Sequence, residues 1–112
     1  MPTDPQFGAR IEFLGVVRGT EAGRAIAGIR YTAHVPMVER VFGRIADGGE
    51  RRFGPHLLWI HHVTGFVAAG EPSVRIEVAF SRSAGAFEAC AWYLQRIKSE
   101  APIWKEPIYE SS

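Results

Sequence analysis

The sequence predicts an α+β fold, a single domain with two main helices on one side of a mixed or antiparallel sheet. Hydrophobic periodicity switches repeatedly between two and about 3.6 residues. Gly and Pro residues punctuate the switches. The resulting order, strand, strand, helix, strand, strand, helix, strand, is that of an α+β layer architecture. The 112 residues are the size of one ordinary domain, and 46% hydrophobic with 22% charged residues is a globular composition. No repeat, low-complexity block or linker divides the chain, and the polar ends, residues 1–7 and 110–112, are expected to fray.

Arg10–Arg18 alternates as a strand, with Ile11, Phe13, Gly15 and Val17 on one face and Glu12, Leu14, Val16 and Arg18 on the other. The turn residues Gly19–Gly23 follow, and a strand from Ala25 to Tyr31 is expected to pair antiparallel with the first. Pro36 suits a first helical turn, where its missing N–H would be unpaired anyway. Met37, Val38, Val41, Phe42 and Ile45 then recur at helical spacing, and Gly48 and Gly49 read as the stop. Leu57–Val63 is the next strand, with a short one near Val67. Ser73–Ser81 is the clearest, because Val74, Ile76, Val78 and Phe80 alternate with Arg75, Glu77 and Ala79. A second helix covers Ala84–Glu100 and is ended by Pro102, after which Ile103–Tyr109 reads as extended.

Thirteen Lys and Arg against twelve Asp and Glu leave a formal charge of +1, which argues against a nucleic-acid partner. No stretch nears the ~18 to 20 apolar residues of a membrane span, and Met1–Ala9 lacks the apolar run of a signal peptide. A single cysteine, Cys90, excludes an intrachain disulfide and fits a reducing, cytoplasmic setting. The four histidines give no metal-ligand spacing, since His61 and His62 point to opposite faces of a strand and His34 and His56 stand apart. No metal is expected.

At about 100° per residue, Phe87, Cys90, Ala91, Leu94, Ile97 and Ala101 fall within an arc of ~120° and predict the core stripe of the second helix. Lys98 falls roughly 20° from Phe87, inside that stripe. Its stem can snorkel, or its amine can sit partly desolvated as a usable acid, base or nucleophile. Lys105, beyond the Pro102 break, is placed to return beside it. Two lysines on one cleft attract anions such as phosphate or carboxylate. Trp92, roughly 140° from Phe87, is expected off the core, at an interface or under a loop.

Several segments carry a resemblance. Ala86-Phe87-Glu88-Ala89-Cys90, Ile97-Lys98 and Ala101-Pro102-Ile103-Trp104-Lys105 resemble the signature of the molybdopterin synthase catalytic (large) subunit family. So do Phe13-Leu14-Gly15-Val16-Val17-Arg18, Tyr31-Thr32-Ala33-His34-Val35-Pro36-Met37, and His62, Gly65, Gly70-Glu71 and Val74. The resemblance implies an α/β hammerhead-like fold and a homodimer that binds two copies of a small ubiquitin-like sulfur carrier, a heterotetramer in all. It implies that the carrier's C-terminal Gly-Gly thiocarboxylate delivers two sulfurs, in successive steps, to cyclic pyranopterin monophosphate, giving the dithiolene of molybdopterin. It implies no cofactor, the metal being inserted later by other proteins.

By position, the resemblance makes Lys98 and Lys105 the catalytic residues. Val17, Arg18, Arg82, Ser83 and Glu106 become the substrate contacts, Glu106 substituting for an acidic residue where Pro107 stands. The family's His-Arg pair before the second helix is absent, with Arg82 and Ser83 in its place. Gly19-Thr20-Glu21-Ala22 replaces an Asn-rich loop, and Val63 an arginine. These departures leave an alternative, a binding module that docks the carrier without efficient pterin chemistry. A purely structural dimer, in which neither lysine matters, is a third reading.

Overall fold

The computed structural model describes residues 4–110. In chain order the elements are β1 (Ala9–Val16), β2 (Thr20–Glu21), β3 (Arg24–Ala33), α1 (Val35–Phe53), β4 (Leu57–His62), β5 (Gly65–Ala68), β6 (Pro72–Phe80), α2 (Ser83–Glu100) and β7 (Ile103–Tyr109). The fold is α+β as expected, but the expected single sheet is two. One runs β1–β6–β4; in the other, β3 pairs with β2, β5 and β7. All these pairings are antiparallel.

The first sheet carries the helices on one face. Phe13, Ile76 and Ile60 stand in register across it, as do Ile11, Val78 and Leu58. Over them lie Ala86, Ala89, Cys90, Tyr93 and Ile97 of α2, joined by Val41 and Ile45 of α1. This buried stripe is displaced by roughly 100°, one residue, from the one the sequence predicts, and Phe87 is 67% exposed. Two alanines let α2 approach the sheet closely, and Tyr93 rather than Leu94 is the large side chain driven inside. Glu77 and Ala79, on the face away from the helices, are buried as well, because β6 is the central strand with β1 and β4 on its flanks.

Two further expectations are corrected. The helix does not stop at Gly48 and Gly49; α1 runs through both to Phe53. They are packing glycines: a Cβ on Gly49 would overlap the Tyr93 hydroxyl, and one on Gly48 would stand 3.4 Å from the Trp92 ring. The stop is Gly54, in the left-handed region at φ 79°, with its N–H bonded to the Glu50 carbonyl. Likewise β1 pairs with β6 and not with β3. The residues read as a turn form β2, whose hairpin with β3 turns on Ala22 (φ 50°) and Gly23 (φ 76°), the doubly left-handed corner of a type I′ turn.

At the α1–α2 contact the His56 ring stacks on Phe80 at 4.4 Å, donates from Nδ1 to the Gly54 carbonyl (2.7 Å) and accepts at Nε2 from the Tyr93 hydroxyl (2.6 Å). Burial, helped by the Glu50 charge, pushes the Tyr93 phenol up to about 12. Trp92 is partly covered here, edge-on to Phe53 and under the Arg96 guanidinium at 4.9 Å. It packs against α1, not against a loop.

The second sheet has its own core of Val17, Ile26, Ile29, Tyr31 and Val67. The ends are tied where frayed ends were expected. Phe7 N–H closes a turn onto the Asp4 carbonyl, and Glu110 N–H bonds to the Ala25 carbonyl. The remaining end positions, 1–3 and 111–112, lie outside the described residues. No helix among the described residues is long and apolar enough to cross a membrane.

Candidate active site

Backbone bonds carry the pairing of the first sheet past the ends of β1 and β4, to where Val17 and Val63 pack against the core of the second sheet. Val17 N–H donates to the Glu71 carbonyl (3.0 Å), Gly70 N–H to the Val17 carbonyl (2.8 Å) and Val63 N–H to the Ser73 carbonyl (2.8 Å). Along this seam lies a cleft of about 720 Å³, lined by the Phe13–Arg18 segment, by Tyr31 and His62, and by both ends of the α2–β7 connection. That volume suits a small organic ligand.

The α2–β7 connection places the two lysines. Ala101 N–H makes the last helical bond, to the Ile97 carbonyl (3.0 Å), and Ile103 N–H already bonds to the Ala101 carbonyl (2.9 Å). The chain therefore turns from helix to strand within Ala101–Pro102. In the β3–β7 ladder Lys105 is opposite Tyr31, while Trp104 and Glu106 are opposite Thr32 and Arg30. Side chains alternate along a strand, so Lys105 shares the cleft face with buried Tyr31 and its two neighbours point away.

Lys98, Lys105, Arg18 and Val17 thus line one cleft. Lys98 reaches it differently from expectation. Because the core stripe is displaced, Lys98 lies on its flank and is exposed, a cation at the cleft wall rather than a desolvated amine. Glu106 is corrected: it lies on the opposite face, across from Arg30. Arg82 and Ser83 are also away from the cleft of their own chain. They sit at the other end of α2, and the fifteen-residue rise from Ser83 to Lys98 is ~22 Å. Arg82 borders a separate depression with Arg52, Phe80 and Glu88.

Three cations, Arg18, Lys98 and Lys105, face one carboxylate, Glu21, in the cleft lining. Such a balance concentrates anions. His62 is a cleft residue to which the sequence assigns no role. Its period-2 alignment with Leu58 and Ile60 on the inward face of β4 is the available signal. Its Nδ1–H donates to the Val63 carbonyl (2.8 Å), and its ring meets Tyr31 edge-on at 4.9 Å. Burial pulls its pKa below the ordinary 6.5; the Val63 carbonyl opposes this, and the charges of His61 and Lys105 add to it. Among the described residues no three His, Cys, Asp or Glu side chains gather as a metal site.

Comparison with known proteins gives the same geometry a lineage. The chain is 35% identical over 108 residues to the molybdopterin synthase catalytic subunit of Synechococcus elongatus, covering 96% of this chain and 66% of that one. It is 32% identical to the subunit of that name from Thermoplasma volcanium, covering 96% and 78%. The chain spans only about half to two thirds of the length of the first relatives it matches. The crystal structure of molybdopterin synthase from Staphylococcus aureus superposes with a TM-score of 0.93 at 28% identity, over 98% of this chain and 80% of that one. The family model described as MoaE protein matches residues 1–100. On a match of that extent, the chain belongs to the MoaE protein family.

Proposed function

We propose that the chain is the catalytic subunit of a sulfurtransferase in molybdenum cofactor biosynthesis. It takes sulfur from the C-terminal thiocarboxylate of a small ubiquitin-like carrier and places it on cyclic pyranopterin monophosphate, making molybdopterin. The observation that carries this reading is the convergence of Arg18, Lys98 and Lys105 on one cleft with a single opposing carboxylate. The names of the relatives support it.

Each cation has a task suited to its chemistry. The planar guanidinium of Arg18 holds the cyclic phosphate through paired hydrogen bonds. Lys98 and Lys105 draw in the carrier's anionic tail and stabilise the oxyanion formed when its acyl carbon is attacked. The chain acts as a homodimer that binds two carriers. The ~22 Å between Ser83 and Lys98 means that Arg82 and Ser83 serve a cleft only from a second copy.

The test is to mix the protein with a thiocarboxylated carrier and the cyclic pterin and to assay dithiolene product. Product that is lost in a folded Lys98→Ala variant supports the reading. Carrier binding without product makes the protein a docking module, and absence of carrier binding removes the reading altogether.

A further inference from the structure

The three cations of the cleft donate hydrogen bonds and accept none. Sulfur transfer from an acyl carrier also needs a proton acceptor. Once sulfur is bonded to the pterin, the carrier is still attached through an acyl–sulfur bond, and water must cleave it. Resting on the function proposed above, we propose that His62 Nε2 is the general base for that hydrolysis.

The geometry singles out this nitrogen. The Nδ1–H bond to the Val63 carbonyl fixes the tautomer and leaves the lone pair on Nε2. Nε2 bonds to no described residue, while the ring lines the same cleft as both lysines and is braced edge-on by Tyr31. The charged and titratable groups around it come from every wall: Lys105 from β7, Lys98 from α2, Arg18 after β1, His61 beside it on β4, Glu21 from β2 and Tyr31 from β3. Burial and the neighbouring Lys105 favour the neutral ring, the form able to accept a proton. An imidazole is matched to proton transfer near neutral pH, where a carboxylate is a weak base.

In the step, a water oxygen bonds to the acyl carbon as one of its protons passes to Nε2. The oxyanion, held by the lysines, collapses; the carbon–sulfur bond breaks, and its electron pair leaves on sulfur. The imidazolium returns its proton to that thiolate, and the new carboxyl loses the second water proton to solvent. Carrier carboxylate, pterin thiol and one proton result, with nothing oxidised or reduced.

The experiment uses His62→Asn, whose amide keeps a donor where Nδ1–H stood but offers no basic nitrogen. With thiocarboxylated carrier and cyclic pterin, carrier affinity is expected within about twofold of the parent. Product formation falls ~10² to 10⁴-fold, and a carrier–pterin acyl–sulfur adduct accumulates in intact-mass spectra. A variant that forms product at the parent rate, or slows without accumulating adduct, overturns the assignment. The parent protein gives an independent readout should the variant not fold: its adduct hydrolysis holds near pH 6.5 and slows as pH falls further, through the lowered His62 value, and a rate that stays flat down to the acid limit of the fold also overturns it. Absence of product from the parent protein strikes the sulfurtransferase reading instead, and the role of His62 with it.

Discussion

Lys105 stands directly across from Tyr31 in the β3–β7 ladder, and this register alone puts its ammonium group in the cleft. Glu106, the next residue, faces the other way. Lys105→Ala should therefore reduce dithiolene formation by roughly 10² to 10³-fold through lost oxyanion stabilisation. Glu106→Ala should stay within about twofold at saturating carrier. Product assays on the two variants, with circular dichroism to confirm folding, check the contrast.

The cleft should bind inorganic pyrophosphate, and calorimetry should find that affinity falling as salt is raised from about 0.05 to 0.5 M, since exposed charges are screened. Arg18→Ala should weaken binding by about tenfold, the loss of one charge-assisted contact. Binding that is indifferent to salt or to Arg18 would contradict the electrostatic description of the cleft.

Gly49→Ala is expected to destabilise the fold by about 1 to 3 kcal/mol, although alanine is the better helix former. The added methyl would collide with the Tyr93 hydroxyl, which is fixed by His56 and cannot retreat. Gly43→Ala, whose methyl would meet nothing within 4 Å, should be neutral or slightly stabilising. Urea denaturation midpoints decide both.

Alkaline unfolding should report on Tyr93. Its phenol ionises at the ordinary 10.0 in the unfolded chain but only near about 12 when folded. Stability is then complete below pH 10 and lost as pH rises from there through 12. Tyr93→Phe should flatten this limb while costing about 1 kcal/mol or more at pH 7, because His56 Nε2 loses its donor. Denaturation at stepped pH measures both effects.

Acid stability should track His62. Because burial lowers its folded pKa, the unfolded chain takes up the proton first, and stability declines as pH drops from 6.5 through the lowered value. In His62→Asn that part of the acid limb should disappear.

The parts legible in the sequence are those governed by local chemistry. The alternation of Ser73–Ser81 locates β6, Pro36 marks the start of α1, and Pro102 separates Lys98 from Lys105 while leaving them close. Partnership across the chain is not legible. Nothing local distinguishes β1 pairing with β6 from β1 pairing with β3, and both satisfy the same alternation. Gly48 and Gly49 have the composition of a helix stop, but their cause lies in Trp92 and Tyr93, over forty residues away. The phase of α2 differs from its periodicity because Phe87 is apolar yet exposed and Leu94 only partly buried, while Ala86, Ala89 and Tyr93 face the sheet, a matter of tertiary contact that spacing does not contain.

The joint at Ala101–Pro102 carries one more implication. Lys98 rides with the helical half of the molecule and Lys105 with the other, so the gap between their charges gauges how the halves are tilted. A protein that docks across the seam and rocks one half would retune the pull on an anionic guest without touching either lysine.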